Sequence, residues 1–240
     1  MTNKKFYWFG DSWVFGDELE KEVPDPNNYT FAQLVSNHFG ATNVNLSSNG
    51  SSIDNIPVEF SKIASNINPE IDCVFFFLTA AHRVSMFDDT GNLKNILPSN
   101  YKEAHKVHDY RDQWYKYFDT PLQRTYNYDK TINLLYLWCQ HIGVKCYFSN
   151  IFTTELSLII DCTPESAWLL PKNTCIAEYI LPVIDTTDYR LITEDHPDLT
   201  NDQWHAQEPY VKKYIRPCFQ HPNVAGHQEI ATQLIKLLHE

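Results

Sequence analysis

A three-layer α/β/α fold with a central parallel sheet is the architecture that this 240-residue sequence predicts. Segments with strand-like and helix-like apolar patterns alternate through the first 150 residues. The segment Cys73–Leu78 is apolar without interruption, which is typical of a strand covered on both faces. A hydrophobic fraction of 43% suffices for a substantial core. Alternating strands and helices require crossover connections, so neighbouring strands run parallel.

Strands are predicted at five places. The aromatic run Lys5–Gly10 ends in a polar turn, and Asn43–Leu46 is a weaker second strand. Cys73–Leu78 carries the strongest strand pattern, and Val144–Phe148 follows it. A fifth strand is predicted at Tyr179–Val183.

Helices with one apolar face are predicted between and after these strands. Their apolar positions span residues 31–39, 53–67, 132–142 and 224–238. Asn27 or Asn28 and Gly40 are the expected caps of the first helix, and Asn223 is the expected cap of the last.

The domain organisation follows from length and pattern. We expect one domain over residues 1–240, with insertions at about 84–126 and 153–217. The first insertion is aromatic, charged and irregular, and it predicts one or two helices that form a lid. The second matches no recognisable pattern apart from its one strand.

Charge and apolar patterning exclude some functions. The formal net charge is −11, and positive residues do not cluster, which argues against nucleic-acid binding. The longest apolar run, Cys73–Ala81, is about half of what a membrane span requires. The six cysteines form no CxxC pair and predict reduced thiols. We therefore expect a cytoplasmic protein without a membrane span, and its oligomeric state stays open.

Polar motifs follow the predicted strands, where parallel sheets place their chemistry. Gly10-Asp11-Ser12 ends the first strand, Asn49-Gly50-Ser51-Ser52 follows the second, and Thr79–Arg83 follows the third. The segment His221-Pro222-Asn223-Val224-Ala225-Gly226-His227 precedes the last helix. Each motif taken alone is compatible with an ordinary turn or helix cap. Taken together, they predict a site at one edge of the sheet.

Together these motifs resemble the SGNH/GDSL hydrolase family. The resemblance implies that Ser12 is the nucleophile and that its backbone N–H belongs to the oxyanion hole. It implies that Gly50 supplies a second oxyanion donor and that His221 is the general base. It also implies the flavodoxin-like variant of the α/β/α fold.

Two family residues are absent. The family's G-x-N-D motif has Ala80 at its Asn position, and its D-x-x-H motif has Cys218 at its Asp position. Thr79, His82 or Arg83 are candidates to complete the oxyanion hole. A backbone carbonyl is one candidate to orient His221. The others are carboxylates in an acidic segment, namely Asp195, Asp198 and Asp202.

Substrate contacts are predicted beside the motifs. The candidates are Asp11, Asn49, His82 and Arg83. Arg83 has two readings: it recognises an anionic substrate group, or it forms a salt bridge to Asp88, Asp89 or another carboxylate.

The sequence thus predicts a serine hydrolase, esterase-like or lipase-like, or an acyltransferase. Its substrate would be a small-molecule or glycan ester, and it would need no cofactor and no metal. The pairs His105/His108 and Cys218/His221 do not complete a four-ligand zinc set. The alternative is a catalytically degenerate module of the same fold that binds or supports a partner. Cys218 is expected to be dispensable, because a neutral thiol accepts hydrogen bonds poorly.

Overall fold

The computed structural model describes residues 3–17, 19–79, 83–87, 93–96, 120–152, 162–172, 174–177 and 221–239. The strands in these ranges are β1 (Lys5–Phe9), β2 (Thr42–Asn45), β3 (Cys73–Leu78), β4 (Val84–Phe87), β5 (Leu93–Ile96) and β6 (Lys145–Asn150). The α-helices are α1 (Ser12–Phe15), α2 (Phe31–His38), α3 (Asn55–Ile63), α4 (Pro121–Ile142) and α5 (Val224–His239).

The central sheet is parallel and has the order β2-β1-β3-β6. All six residues of β3 are buried, as the unbroken apolar run predicts for a central strand. Parallel pairing brings the carboxyl ends of these strands to one edge of the sheet. The segments after β1, β2 and β3 therefore emerge side by side at this edge, which we call the carboxyl edge.

Helices cover both faces of the sheet. One core contains Trp8 and Phe75 together with residues of α2 and α5. The rings of Trp8 and Phe75 stack with centroids 4.2 Å apart, and the Trp8 indole N–H donates to Ser36 Oγ on α2 at 3.1 Å. The opposite core contains Phe9 and Phe76 together with residues of α3 and α4. Because alternate residues of β1 and β3 enter opposite cores, the fold is the three-layer α/β/α architecture that the sequence predicts.

Several boundaries differ from the predictions. The N-cap of α2 is Thr30, whose Oγ1 accepts from Gln33 N–H at 3.2 Å, and not Asn27 or Asn28. Helix α4 begins at Pro121 rather than near Ile132, because proline at the first turn lacks only a donor that the helix does not use.

The first insertion holds an unpredicted antiparallel hairpin, β4–β5, in which Val84 pairs with Ile96. Each strand has only four residues, so the alternation of apolar and polar residues is too short for the sequence to predict it. The strand expected at Tyr179–Val183 lies outside the described residues. None of the helices that the structure describes is both long enough and apolar enough to cross a membrane.

Candidate active site

Ser12 and His221 meet at the carboxyl edge although 209 positions separate them in the sequence. Ser12 Oγ lies 2.9 Å from His221 Nε2, within hydrogen-bonding distance. The sequence predicts this proximity, and it is the geometry that a serine nucleophile and its base require.

The turn that carries Ser12 is built by the residues on either side of it. Asp11 caps α1, and its Oδ1 accepts from Trp13 N–H at 3.0 Å. Gly16 ends this helix in the left-handed conformation, with φ 83°, and a Cβ there would lie 2.5 Å from Thr30 Cγ2. Because glycine adopts this conformation without strain, Gly16 ends α1 and fixes the direction in which the chain leaves the helix that begins at Ser12.

The loop that carries His221 is held at the start of α5. Asn223 Oδ1 accepts from Gly226 N–H at 2.8 Å, which confirms Asn223 as the helix cap. Glu22 Oε2 accepts from Val224 N–H at 3.0 Å and so links this loop to the segment after α1. The second histidine of the motif, His227, is buried, and its Nδ1 accepts from Phe31 N–H at 3.2 Å. His227 is therefore a core residue, whereas His221 faces Ser12.

A buried network joins Asp11 to the segment after β3. Asp11 is 0% exposed, and its Oδ2 accepts from Thr79 Oγ1 at 2.8 Å and from Arg83 Nη1 at 2.9 Å. Two expectations are corrected here. Asp11 is too buried to contact a substrate, and Thr79 is not placed as an oxyanion donor, since its only hydroxyl hydrogen points to Asp11.

Arg83 forms a salt bridge, as one of its two predicted readings requires. Its partner among the described residues is Asp11, and Asp88 and Asp89 lie outside those residues. The Arg83 side chain is 22% exposed, and its guanidinium carbon lies 5.9 Å from the centre of the Phe152 ring. The Arg83 guanidinium thus neutralises the buried Asp11 carboxylate and links the segment after β3 to the turn that carries Ser12.

The loop after β2 runs alongside the turn that carries Ser12. Ser48 N–H donates to Gly10 O at 3.3 Å, and Asn45 Nδ2 donates to Val14 O at 2.9 Å. Gly50 has φ 67°, a conformation that favours glycine, and without a side chain its backbone can be approached closely. Asn49 is exposed, as a substrate contact requires, and its Nδ2 donates to Asp17 Oδ2 at 2.8 Å.

Asp17 is the residue at this site that the sequence reasoning missed. Its Oδ2 lies 3.9 Å from His221 Nε2. The signal that could have found it is the left-handed glycine after α1, since Gly16 turns the chain back toward Ser12. The family resemblance instead directs attention to the D-x-x-H motif, in which the Asp comes three positions before the residue that is His221 here.

The hairpin β4–β5 docks on the loop that precedes α3. Ser85 Oγ lies 2.5 Å from Ser52 Oγ, and Ser85 N–H donates to Asp54 Oδ2 at 3.3 Å. Burial raises the pKa of the Asp54 carboxyl above its ordinary value. The hairpin therefore lies against the loop between β2 and α3.

Several predicted positions lie outside the described residues. They are Ala80, His82, His105, His108, Asp195, Asp198, Asp202 and Cys218. The expectations for the group that orients His221 and for the dispensable Cys218 therefore stay predictions. Across the described ranges, no cluster of three or more His, Cys, Asp or Glu side chains is arranged to hold a metal ion.

Comparisons with known proteins find similar chains among solved structures. No protein-family model and no curated protein matches the chain. Among solved structures, protein YXIM of Bacillus subtilis is 15% identical with a TM-score of 0.49, over 100% of this chain and 57% of that protein. This chain thus spans little more than half of that relative's length.

Two further solved structures match nearly end to end. A member of the lipolytic protein G-D-S-L family from Veillonella parvula is 11% identical with a TM-score of 0.45, over 99% of both chains. LAE5, an alpha/beta hydrolase enzyme from the metagenome of Lake Arreo, is 15% identical with a TM-score of 0.46, over 99% of this chain and 95% of that one.

Proposed function

We propose that this protein is a serine hydrolase or acyltransferase that acts through an acyl-enzyme on Ser12. The observation that carries the proposal is the 2.9 Å contact between Ser12 Oγ and His221 Nε2. A serine hydroxyl attacks an ester only when a neighbouring base accepts its proton, and His221 Nε2 is within reach of that proton.

The reaction begins when Ser12 Oγ attacks the ester carbonyl carbon while its proton passes to His221 Nε2. The tetrahedral intermediate then collapses, the bond to the leaving oxygen breaks, and His221 returns the proton to the leaving alcohol. Water, or an acceptor hydroxyl in an acyltransferase, attacks the acyl-enzyme with His221 again accepting the proton. The second tetrahedral intermediate collapses, the bond between the acyl carbon and Ser12 Oγ breaks, and His221 Nε2 returns the proton to Ser12 Oγ.

The developing oxyanion is held by backbone N–H groups in this proposal. Ser12 N–H lies in the first turn of α1, and Gly50 N–H lies in the adjoining loop with its φ of 67°. Each such donor contributes roughly two to three orders of magnitude to turnover. The Thr79 hydroxyl, expected as a further donor, is left out of the proposal because it donates to Asp11.

The substrate class in the proposal is a small-molecule or glycan ester, and the protein acts in the cytoplasm without a cofactor. The reduced state of the thiols supports this location. Among the described cysteines, Cys73, Cys139 and Cys146 are buried and form no disulfide. Burial raises the pKa of Cys73 to about 12, so this thiol stays protonated and unreactive.

A fluorophosphonate probe tests the proposal because it phosphonylates an activated serine without a known substrate. We expect the wild type to be labelled on Ser12 and Ser12→Ala to remain unlabelled. His221→Gln should be labelled at least about a thousandfold more slowly, because the base that accepts the Ser12 proton is lost. Ser51→Ala is the matched control, because Ser51 is a buried serine at the same edge whose Oγ contacts Ser52 O at 3.4 Å.

Two results would contradict the proposal. One is labelling of Ser12→Ala at the wild-type rate, which would place the reactive group elsewhere. The other is a folded wild type that no fluorophosphonate labels, which would favour the non-catalytic module of the same fold.

A further inference from the structure

We propose that Asp17 is a positioning residue that stabilises the protonated form of His221. This inference rests on the proposed function, since it concerns the proton that His221 would carry during catalysis. It assigns to Asp17 part of the work that the missing acidic residue before His221 would otherwise do.

The geometry places Asp17 beside the reactive nitrogen itself. Asp17 Oδ2 lies 3.9 Å from His221 Nε2, the same nitrogen that lies 2.9 Å from Ser12 Oγ. When Nε2 takes the Ser12 proton, a positive charge appears next to this carboxylate. The two charges attract each other, and the attraction exists only after proton transfer.

The chain holds Asp17 in place from two sides. Asp17 N–H and Gly16 N–H both donate to Ser12 O at 3.0 Å, so the backbone of Asp17 is tied to the nucleophile. On the other side, Asn49 Nδ2 donates to Asp17 Oδ2 at 2.8 Å and orients the carboxylate. The Asp17 side chain is 24% exposed, so its field is only partly screened by water.

Other charged groups at this edge are already engaged in the described part of the chain. Asp11 is paired with Arg83, and Glu22 Oε2 accepts the Val224 N–H. Asp17, by contrast, has its Oδ2 within 3.9 Å of His221 Nε2.

Asp17→Asn is the decisive variant, because it keeps the shape and the oxygen that accepts from Asn49 while it removes the charge. We expect the rate of fluorophosphonate labelling at high pH to fall by about tenfold. We also expect the midpoint of the pH–rate profile to move to lower pH, because the carboxylate no longer attracts the positive charge that forms on the His221 ring. Asp17→Glu, which retains the charge, should recover most of the midpoint shift.

Glu20→Gln is the matched control. Glu20 is exposed on the 3₁₀ helix Leu19–Lys21, and its replacement by Gln changes the net charge by the same amount as Asp17→Asn. Its rate and midpoint should match the wild type. If Asp17→Asn behaves like Glu20→Gln, or if its midpoint moves to higher pH, the role of Asp17 is disproved.

A second measurement separates this inference from the proposed function. The NMR titration of the His221 ring, assigned with His221→Gln, requires no catalysis. A midpoint that falls in Asp17→Asn but not in Glu20→Gln supports the contact even if no probe labels Ser12. An unchanged midpoint overturns the inference even if Ser12 is labelled normally.

Discussion

Asp11 and Arg83 form an ion pair of 2.9 Å that joins the turn before Ser12 to the segment after β3. The carboxylate has no exposure to solvent, whereas the guanidinium is 22% exposed. A buried carboxylate needs a partner, because ionised groups are costly to remove from water. The pair therefore couples the stability of the fold to the shape of the candidate site.

Arg83→Met tests this coupling, because it keeps the aliphatic packing and leaves Asp11 without its cation. We expect a loss of about 2–3 kcal/mol in the free energy of unfolding, below the range for fully buried pairs because Arg83 is partly exposed. Urea denaturation measures this loss. Lys62→Met is the control, since it breaks an exposed pair of 2.6 Å with Glu59 and should cost less than about 1 kcal/mol.

The double variant Asp11→Asn/Arg83→Met gives an independent check. Asparagine can still accept from Trp13 N–H, and it carries no charge to be neutralised. We expect the double variant to lose less stability than the sum of its single variants, with a coupling of about 0.5–3 kcal/mol. Additive losses, or an Arg83→Met protein as stable as Lys62→Met, would contradict a structural role and restore the reading of Arg83 as a substrate contact.

The sheet could be predicted from the sequence because its strands carry strong local signals. Cys73–Leu78 is unbroken in hydrophobicity, and its predicted bounds match the observed strand. The proximity of Ser12 and His221 could be predicted from the resemblance to a family together with the rule that parallel strands end on one edge. In both cases the residue types and their order along the chain are sufficient for the prediction.

The remaining features depend on contacts between segments that are distant in sequence. Asp17 approaches His221 only because Gly16 turns the chain and α5 brings His221 to the same edge. The sequence allows the Thr79 hydroxyl to face a ligand, but in the folded chain this hydroxyl donates to the buried Asp11 carboxylate. A local pattern does not reveal which of several acceptors a donor meets once the chain has folded.

Asp54 makes the stability depend on pH in a direction opposite to that of a salt-bridged carboxylate. Burial raises the pKa of Asp54 above its ordinary value of 3.8, while the Ser85 N–H and Lys130 oppose this shift. Between the unfolded and folded pKa values the folded state binds more protons, so stability falls as pH rises. The stabilisation is fully present below 3.8 and is lost as pH passes the folded pKa.

Asp54→Asn removes this ionisation and keeps an oxygen that can accept from Ser85 N–H. We expect the variant to melt at a higher temperature than the wild type at pH 7, with the difference shrinking as pH falls toward 4. Thermal melts across this range measure the effect. Glu70→Gln, an exposed substitution of the same charge, should show no such trend. A difference that grows toward acid pH would show that the Asp54 carboxylate is stabilised in the folded state.

Gly50 and Gly40 offer a matched pair for testing the oxyanion donor. Their φ angles are 67° and 60°, so replacement by alanine strains both backbones similarly, by about 1–2 kcal/mol. A Cβ at Gly40 would have no atom within 4 Å, so its cost is purely conformational. Gly40 follows α2, whereas Gly50 lies in the loop beside the turn that carries Ser12.

Gly40→Ala and Gly50→Ala should therefore carry similar backbone strain, with the stability of each measured by urea denaturation, but only Gly50→Ala should lose reactivity. Relief of the strained φ would tilt the Gly50 N–H away from the developing oxyanion. Complete loss of such a donor costs two to three orders of magnitude in turnover, so we expect fluorophosphonate labelling to slow by at least about tenfold. If Gly50→Ala reacts as fast as Gly40→Ala at equal stability, Gly50 is not a donor. The oxyanion would then have to be held by Ser12 N–H together with a group other than Gly50.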